Sequence, residues 1–106
     1  MDTRELARID LNLLISLQVL LEERNVSRAA ERLFITQPAM SKTLSRLRQL
    51  FDDPLFTRSG HGMQPTPRAL ELAGDLPAIL GNITRLVSGK GFDPATYSGE
   101  IRQARS

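Results

Sequence analysis

Residues 27–42 of the chain read SRAAERLFITQPAMSK, and this stretch decides the fold. Ser27 is a favourable N-cap for a short helix over residues 28–33, whose adjacent alanines permit another helix to approach closely. Residues 34–35 leave room only for a tight connection. Thr36 can then cap a second helix, which has a proline in its first turn, where a missing N–H costs little. The stretch therefore predicts two helices joined by a tight turn.

Apolar residues on both sides extend this prediction. Leucines at three- and four-residue spacing over residues 11–24 predict an amphipathic helix. The helix that begins after Thr36 runs to Phe51, because residues 52–54 (Asp-Asp-Pro) stop it. Three helices are therefore expected in the first half of the chain.

A hairpin and a long helix follow. Residues 55–58 and 63–65 are strand candidates on either side of the Gly-containing turn 59–62. Residues 66–67 (Thr-Pro) provide an N-cap and a first helical residue for a helix that ends near residues 88–89. This order describes a mainly α fold, a winged helix-turn-helix with a long C-terminal helix. The winged domain, the long helix and a linker or tail are expected at residues 1–65, 66–89 and 90–106.

Composition argues against catalysis. The 106 residues include no Cys and one His, which excludes disulfides, thiolate chemistry and a His-based catalytic or zinc constellation. No phosphate-binding glycine signature is present. We therefore expect no enzyme, no cofactor and no metal. The N-terminus lacks the apolar region of a signal peptide, and the most apolar stretch, residues 13–21, is too short to span a bilayer. These features predict a cytoplasmic protein with no membrane partner.

Charge is distributed unevenly along the chain. The net charge is only +2, but residues 27–68 hold seven basic and three acidic groups. Residues 1–26 hold three basic and five acidic groups, and residues 69–106 hold four of each. The positive charge is therefore concentrated in the middle of the chain, which favours contact with a polyanion there. A solvated charged face would give the same imbalance.

The helix after Thr36 has two contrasting faces. Its apolar face is expected to be buried and consists of Met40, Leu44, Leu47 and Phe51. Its opposite face has short polar groups and two cations but no carboxylate: Gln37, Pro38, Ser41, Lys42, Ser45, Arg46 and Gln49. Such a surface suits the major groove of double-stranded DNA, because it offers donors to phosphates and purine edges.

Individual contacts follow from side-chain chemistry. Gln37 can pair with adenine N6 and N7, while Pro38 and Ala39 can pack on a thymine methyl group. Ser41 and Lys42 can reach base edges or neighbouring phosphates. Each of these residues would also be consistent with a polar helix face in water.

Further contacts are expected outside this helix. Arg58, just before the Gly-containing turn, can enter the minor groove or bind phosphate. Arg28 and Arg68 lie beside the caps Ser27 and Thr66, near helix N-termini that could hold a phosphate. The predicted DNA-binding residues are Ser27, Arg28, Thr36, Gln37, Pro38, Ala39, Ser41, Lys42, Ser45, Arg46, Arg58, Thr66 and Arg68.

Apolar residues of the long helix recur at heptad spacing. They form a seam, flanked by Ala73, that suits pairing with a second copy of the helix in a homodimer. Pro77 would occupy an outer position of the heptad, which partly explains how a proline could be tolerated there. The alternative is an amphipathic helix packed on its own domain. The predicted dimerisation residues are Leu72, Leu76, Ile79, Leu80, Ile83 and Leu86.

Two runs of residues resemble a known family. Residues 27–33 (SRAAERL) and 36–42 (TQPAMSK) look like the helix-turn-helix of LysR-type transcriptional regulators. Residues 54–58 (PLFTR), followed by Thr66-Pro67, resemble the wing and linker helix of that family. The resemblance covers residues 10–88.

The resemblance implies a recognition helix that starts at Gln37, a wing arginine at Arg58 and a dimerising linker helix. Members of the family bind interrupted inverted repeats as activators or repressors, and full-length members could assemble further, into tetramers. Their small-molecule co-inducer site lies in a C-terminal domain that is absent from this chain. We expect either an excised DNA-binding fragment, which we favour, or a naturally short form. Pro77 departs from the expected straight linker helix.

Two functions are compatible with the fold. The first is sequence-specific binding of double-stranded DNA as a homodimer. The second is a winged-helix module for protein interaction that does not bind DNA, because fold alone does not fix function. Such a module would be expected to lose the wing arginine Arg58 and the cationic face of the helix that begins after Thr36. Both are present, which favours DNA binding.

Overall fold

The computed structural model describes residues 3–60 and 62–89. Within them it contains a two-stranded antiparallel sheet and five helices. In chain order the elements are α1 (Thr3–Ala7), α2 (Leu11–Glu23), α3 (Val26–Arg32), α4 (Gln37–Phe51), β1 (Phe56–Ser59), β2 (Gly62–Pro65) and α5 (Pro67–Ser88). This order confirms the mainly α winged helix-turn-helix with a long C-terminal helix. It also adds the short helix α1, which the sequence pattern did not indicate.

Polar side chains cap the helices of the helix-turn-helix. The prediction that Ser27 caps α3 is wrong, because the helix begins earlier, at Val26. Asn25 has extended backbone at φ −157°, and its Oδ1 accepts a hydrogen bond from the Arg28 backbone N–H at 2.9 Å. The predicted cap of α4 is confirmed: Thr36 Oγ1 accepts from the Ala39 N–H at 3.2 Å.

The core lies where α2, α3 and α4 meet. Its largest fully buried side chains are Leu17, Leu20, Met40, Leu47 and Leu55. The buried alanines Ala29 and Ala30 allow α3 to pack against both α2 and α4. Burial of each large apolar side chain stabilises the fold by about 1.5–3 kcal/mol. The core therefore fixes how α4 is oriented and which of its faces remains exposed.

The segment between α4 and the hairpin is held by polar contacts. Asp53 Oδ1 accepts from the Leu55 N–H at 2.7 Å and from Thr66 Oγ1 at 2.8 Å. Thr66 Oγ1 also accepts from the Ala69 N–H at 3.1 Å and so caps α5, as predicted. Asp53 thus ties the start of the hairpin to its end.

The hairpin β1–β2, which we call the wing, pairs Phe56 with Pro65 and Ser59 with Gly62. Its strands differ by one residue from residues 55–58 and 63–65, the predicted ones. Leu55 is excluded from β1 because its backbone lies in the left-handed region at φ 65°. Gly62 begins β2 at φ 100°, a conformation that favours glycine. Of the turn, His61 lies outside the described residues.

The chain forms two compact units, one ending at Leu76 and one beginning at Pro77. In the first unit, Ala69 and Leu76 lie in the core, and Leu76 is only 3% exposed. In the second unit, the described residues belong mainly to the C-terminal part of α5, where Leu86 is 81% and Val87 80% exposed. Pro77 lies inside α5. The predicted tail at residues 90–106 falls outside the described residues.

Candidate nucleic-acid interface

One face of α4 is exposed and rich in hydrogen-bond donors. Pro38 follows Thr36 in the first turn, and the buried side chains Met40, Leu44 and Leu47 hold the opposite face in the core. No acidic residue lies in this first turn, so the positive end of the helix dipole is not neutralised there. The exposed residues of this surface, which we call the DNA face, are Gln37, Pro38, Ala39, Ser41, Lys42, Ser45 and Arg46.

The cations of this region divide into free and bound groups. Lys42, Arg46 and Arg58 have no ion-pair partner within residues 3–60 and 62–89. Arg48, by contrast, donates from Nε to the Pro54 carbonyl oxygen at 2.8 Å and from Nη2 to that of Phe56 at 3.3 Å. These cations of α4 and the wing are therefore available for phosphates, while Arg48 attaches α4 to the wing.

A shallow cleft of about 220 Å³ joins three separate elements of the first unit. It brings together three side chains that were predicted to contact DNA: Ser27 of α3, Gln37 of α4 and Arg58 of the wing. The lining residues are Arg24, Asn25, Val26, Ser27, Gln37, Arg58, Ser59, Gly62 and Met63. With Arg24 and Arg58 both on its wall and no carboxylate, the cleft is suited to an anion.

Two side chains of the cleft bond to each other. Ser27 Oγ donates to Gln37 Oε1 at 2.9 Å, and both residues are exposed. This bond links the start of α3 to the start of α4, and it orients the Gln37 carboxamide.

Thr66 and Arg68, which were also predicted to contact DNA, do not line the cleft. Thr66 is half-buried, and its hydroxyl bonds to Asp53 and to the Ala69 N–H. Arg68 pairs with Glu71 at 3.2 Å, and its guanidinium carbon lies 5.9 Å from the centroid of the Phe51 ring. Thr66 and Arg68 are therefore engaged in contacts within the chain, at the start of α5. Arg28 is exposed at the start of α3, beside the cleft residue Ser27.

An ion-pair cluster joins α2 to α3 and includes no residue that lines the cleft. Arg32 Nη1 lies 2.7 Å from Glu22 Oε1 and 3.1 Å from Glu23 Oε2. The hydrogen bond from Arg32, followed by that from Gln18, lowers the pKa of Glu22 below its ordinary value of 4.5. The same bonds to Glu22 and Glu23 raise the pKa of Arg32. Arg32 is thus engaged by carboxylates, unlike the cations of the DNA face.

Within residues 3–60 and 62–89, no group of three or more His, Asp or Glu side chains could hold a metal ion. In the same residues, every helix is too short or too polar to cross a membrane.

The profile of the family described as "Bacterial regulatory helix-turn-helix protein, lysR family" matches residues 11–70. This match covers more than half of the chain and includes α2, α3, α4 and the wing. The chain belongs to the LysR family. This match confirms the predicted family, and the predicted fold class agrees with it. Members of the family are DNA-binding transcriptional regulators rather than enzymes, which confirms the expectation of no enzymatic activity.

Curated relatives of this LysR-family chain are longer regulators. The chain is 51% identical over 83 residues to the HTH-type transcriptional regulator SyrM 2 of Sinorhizobium fredii, covering 78% of the chain and 24% of the relative. It is 41% identical over 92 residues to the HTH-type transcriptional regulator LeuO of Escherichia coli, covering 87% and 29%. The chain therefore spans less than a third of the length of these relatives.

Solved structures of LysR-type proteins have the same fold. A probable transcriptional regulator from Pseudomonas aeruginosa superposes with a TM-score of 0.71 at 48% identity, over 76% of this chain and 27% of that one. The BenM DNA-binding domain, solved in complex with catB site 1 DNA, superposes with a TM-score of 0.70 at 25% identity, over 76% of this chain and 86% of that one.

Among the charged residues that line the cleft, sequence reasoning missed Arg24. Arg24 ends α2 in the left-handed conformation at φ 52° and lines the cleft with Arg58. Arg24 lies in residues 1–26, whose net charge is negative. The charge count of the sequence therefore did not associate it with the basic residues 27–68. The signal that could have revealed it is the directly following Asn25, which begins the helix-turn-helix.

Proposed function

We propose that this LysR-family chain binds double-stranded DNA in a sequence-specific manner, as a homodimer on an interrupted inverted repeat. The observation that carries the proposal is the cleft, in which Gln37, Arg58 and Arg24 converge beside the carboxylate-free DNA face. The likeness to a BenM domain solved with DNA supports the same function.

In the proposed complex, α4 enters the major groove. Gln37 and Ser41 lie toward base edges, while Lys42, Ser45 and Arg46 neutralise or hydrogen-bond phosphates along the groove. Pro38 and Ala39 supply apolar contact for a thymine methyl group. Thr36, Thr66 and Arg68 support the interface by fixing the starts of α4 and α5, rather than by reading bases.

The wing supplies the second contact of the proposed complex. Arg58 is exposed, and it enters the minor groove or binds the flanking phosphates. Arg24 and Arg28 neutralise phosphates between the two grooves. These contacts set the register of the protein on the duplex but carry little sequence information.

The homodimer uses the seam of α5. Leu86 and Ile79 are exposed in the single chain, as large apolar side chains at an unfilled interface would be. Leu76 is buried in the core of its own domain and Leu72 is half-buried against that core, so the seam depends mainly on the other predicted residues, Ile79, Leu80, Ile83 and Leu86. A two-fold dimer presents two copies of α4 to a two-fold DNA site.

The domain organisation follows from these roles. We propose residues 1–65 as the DNA-binding domain, 66–89 as the linker helix for dimerisation and 90–106 as the link to further domains of a longer regulator. In such a regulator, a separate domain would bind the small-molecule effector and turn DNA binding into activation or repression of transcription.

DNA binding is tested by fluorescence-anisotropy titration of a labelled duplex at two salt concentrations. Wild type should bind with strong salt dependence, and Lys42→Ala should reduce the salt slope by about one. Arg85→Ala, which removes an exposed cation of α5 outside the cleft and the DNA face, is the matched control and should keep the slope. Absence of binding at low salt would contradict the proposal and favour the protein-interaction module.

Dimerisation is tested by sedimentation velocity at tens of micromolar protein. Wild type should sediment as a dimer, and Leu86→Lys should shift it to monomer, because the lysine charge would be buried in the seam. Thr84→Lys, at an outer position of the same heptad, is the matched control and should remain dimeric. A monomeric wild-type chain would contradict the dimer.

A further inference from the structure

The side chains of Ser27 and Gln37 meet in the cleft, although ten positions separate them in the sequence. Ser27 Oγ donates to Gln37 Oε1 at 2.9 Å. The hydroxyl is not used for helix capping, because Asn25 caps α3. The bond to Gln37 is therefore the interaction through which Ser27 acts in the folded chain.

A glutamine side chain needs such a partner to hold one orientation. The terminal torsion of glutamine has a broad preference, and ordering this long side chain costs conformational entropy. The carboxamide oxygen has two lone pairs and the nitrogen has two donor hydrogens. With one lone pair engaged by Ser27, the second lone pair and the N–H donors of Gln37 remain available on neighbouring atoms.

We propose that Ser27 is a positioning residue, which holds the Gln37 carboxamide in the orientation that reads adenine. The inference rests on the proposed function, DNA binding with α4 in the major groove. Adenine presents an N6 donor beside an N7 acceptor there, which matches the free lone pair and the N–H donor of Gln37. Ser27 acts through Gln37 and does not itself contact a base.

The alternative role for Ser27, which was predicted to bind DNA, is a direct contact with a phosphate. A phosphate contact would contribute to every DNA sequence equally, and it would do so whether or not residue 37 is glutamine. A positioning role contributes only through Gln37, and only at the base that Gln37 reads. A double-mutant cycle between the two residues separates the two roles.

The experiment uses a randomised duplex pool, from which the bound fraction is sequenced for wild type, Ser27→Ala, Gln37→Ala and the double variant. Ser27→Ala should reduce the adenine preference about threefold to tenfold at the position where Gln37→Ala abolishes it. The salt slope should not change. In the Gln37→Ala background, Ser27→Ala should have no further effect.

Ser27→Thr is the conservative control, because it keeps a hydroxyl at the same place and should retain the preference. The unfolding temperature of each variant shows that the comparison concerns folded protein. An equal loss of affinity for all sequences in both backgrounds, or an unchanged preference in Ser27→Ala, would overturn the positioning role while leaving DNA binding in place. Failure of wild type to bind any duplex would overturn the proposed function and this inference together.

Discussion

Arg48 of α4 donates to the Pro54 carbonyl oxygen at 2.8 Å and thereby fixes the segment before the wing to α4. Its second bond, to the Phe56 carbonyl oxygen at 3.3 Å, reaches the first residue of β1. Arg48 and the exposed Arg46 are thus two cations of one helix with different tasks. One holds the wing, and the other remains available for DNA.

The two arginines should respond differently to substitution. Arg48→Met should lower the free energy of unfolding by about 1 kcal/mol, because two carbonyl groups lose a charged donor. Arg46→Met, the matched control, should leave stability unchanged and instead weaken DNA binding and its salt dependence. Urea unfolding and anisotropy titration of both variants measure these effects. Equal stability of Arg48→Met and wild type would show that the bonds do not hold the wing.

Phe34, in the turn between α3 and α4, is 95% exposed and has a left-handed backbone at φ 57°. A residue with a bulky side chain is strained in this conformation, whereas asparagine adopts it readily. Phe34→Asn should therefore raise the free energy of unfolding by about 1 kcal/mol. Phe34→Ala removes the same exposed ring but keeps the backbone strain, so its gain should be smaller. Thermal unfolding compares the two, and a loss of stability in Phe34→Asn would refute the strain.

The helix α3 should depend on Asn25 and not on Ser27 for its start. Asn25→Ala removes the acceptor of the Arg28 N–H and should destabilise the chain by about 1 kcal/mol. Ser27→Ala should change the free energy of unfolding much less, since its hydroxyl caps no helix and its bond to Gln37 joins two exposed side chains. Chemical unfolding of the pair measures this, and the reverse order of effects would restore Ser27 as the cap.

The ion pair between Arg32 and Glu22 should make stability depend on pH. The pKa of Glu22 is lower in the folded chain than its ordinary value of 4.5, so the folded state takes up the proton less readily than the unfolded state. The stabilisation that ionised Glu22 contributes is fully present at pH values above this ordinary pKa. It is lost as the pH falls through the folded-state pKa of Glu22.

The free energies of unfolding of wild type and Glu22→Gln should therefore differ at neutral pH. They should converge at pH values below the folded-state pKa of Glu22. Because the pair is exposed, the difference should be small and should shrink further in high salt. Glu31→Gln, a carboxylate on α3 outside this cluster, serves as the control. A stability difference that persists in acid would rule out the ion pair as its source.

The main features of the fold could be predicted from the sequence because they depend on local signals. Thr36 before Pro38 gives the start of α4, and the leucine spacing gives α2. The helix α1 was missed because its five residues are all exposed and carry no apolar periodicity. The sequence predicts Leu55 in a strand, because residues 55–58 suit one. In the structure its backbone is left-handed, and its N–H bonds to the Asp53 side chain instead.

The candidate interface was predicted less completely, because it depends on contacts between distant residues. The DNA face could be recognised from residues of one helix alone, such as Gln37 and Lys42. That Arg24 shares a cleft with Arg58 follows only from how α2, α4 and the wing pack together. The sequence likewise does not reveal that Thr66 bonds to Asp53, thirteen positions earlier, instead of facing outward.

The central claim, sequence-specific binding by a two-fold dimer, is tested most directly by selecting bound duplexes from a randomised pool and sequencing them. The account predicts salt-sensitive binding that enriches an interrupted inverted repeat, with the enriched bases of each half-site altered in Gln37→Ala. Binding without enrichment of any sequence would contradict base reading by α4. Enrichment of a single unrepeated site would contradict the dimer.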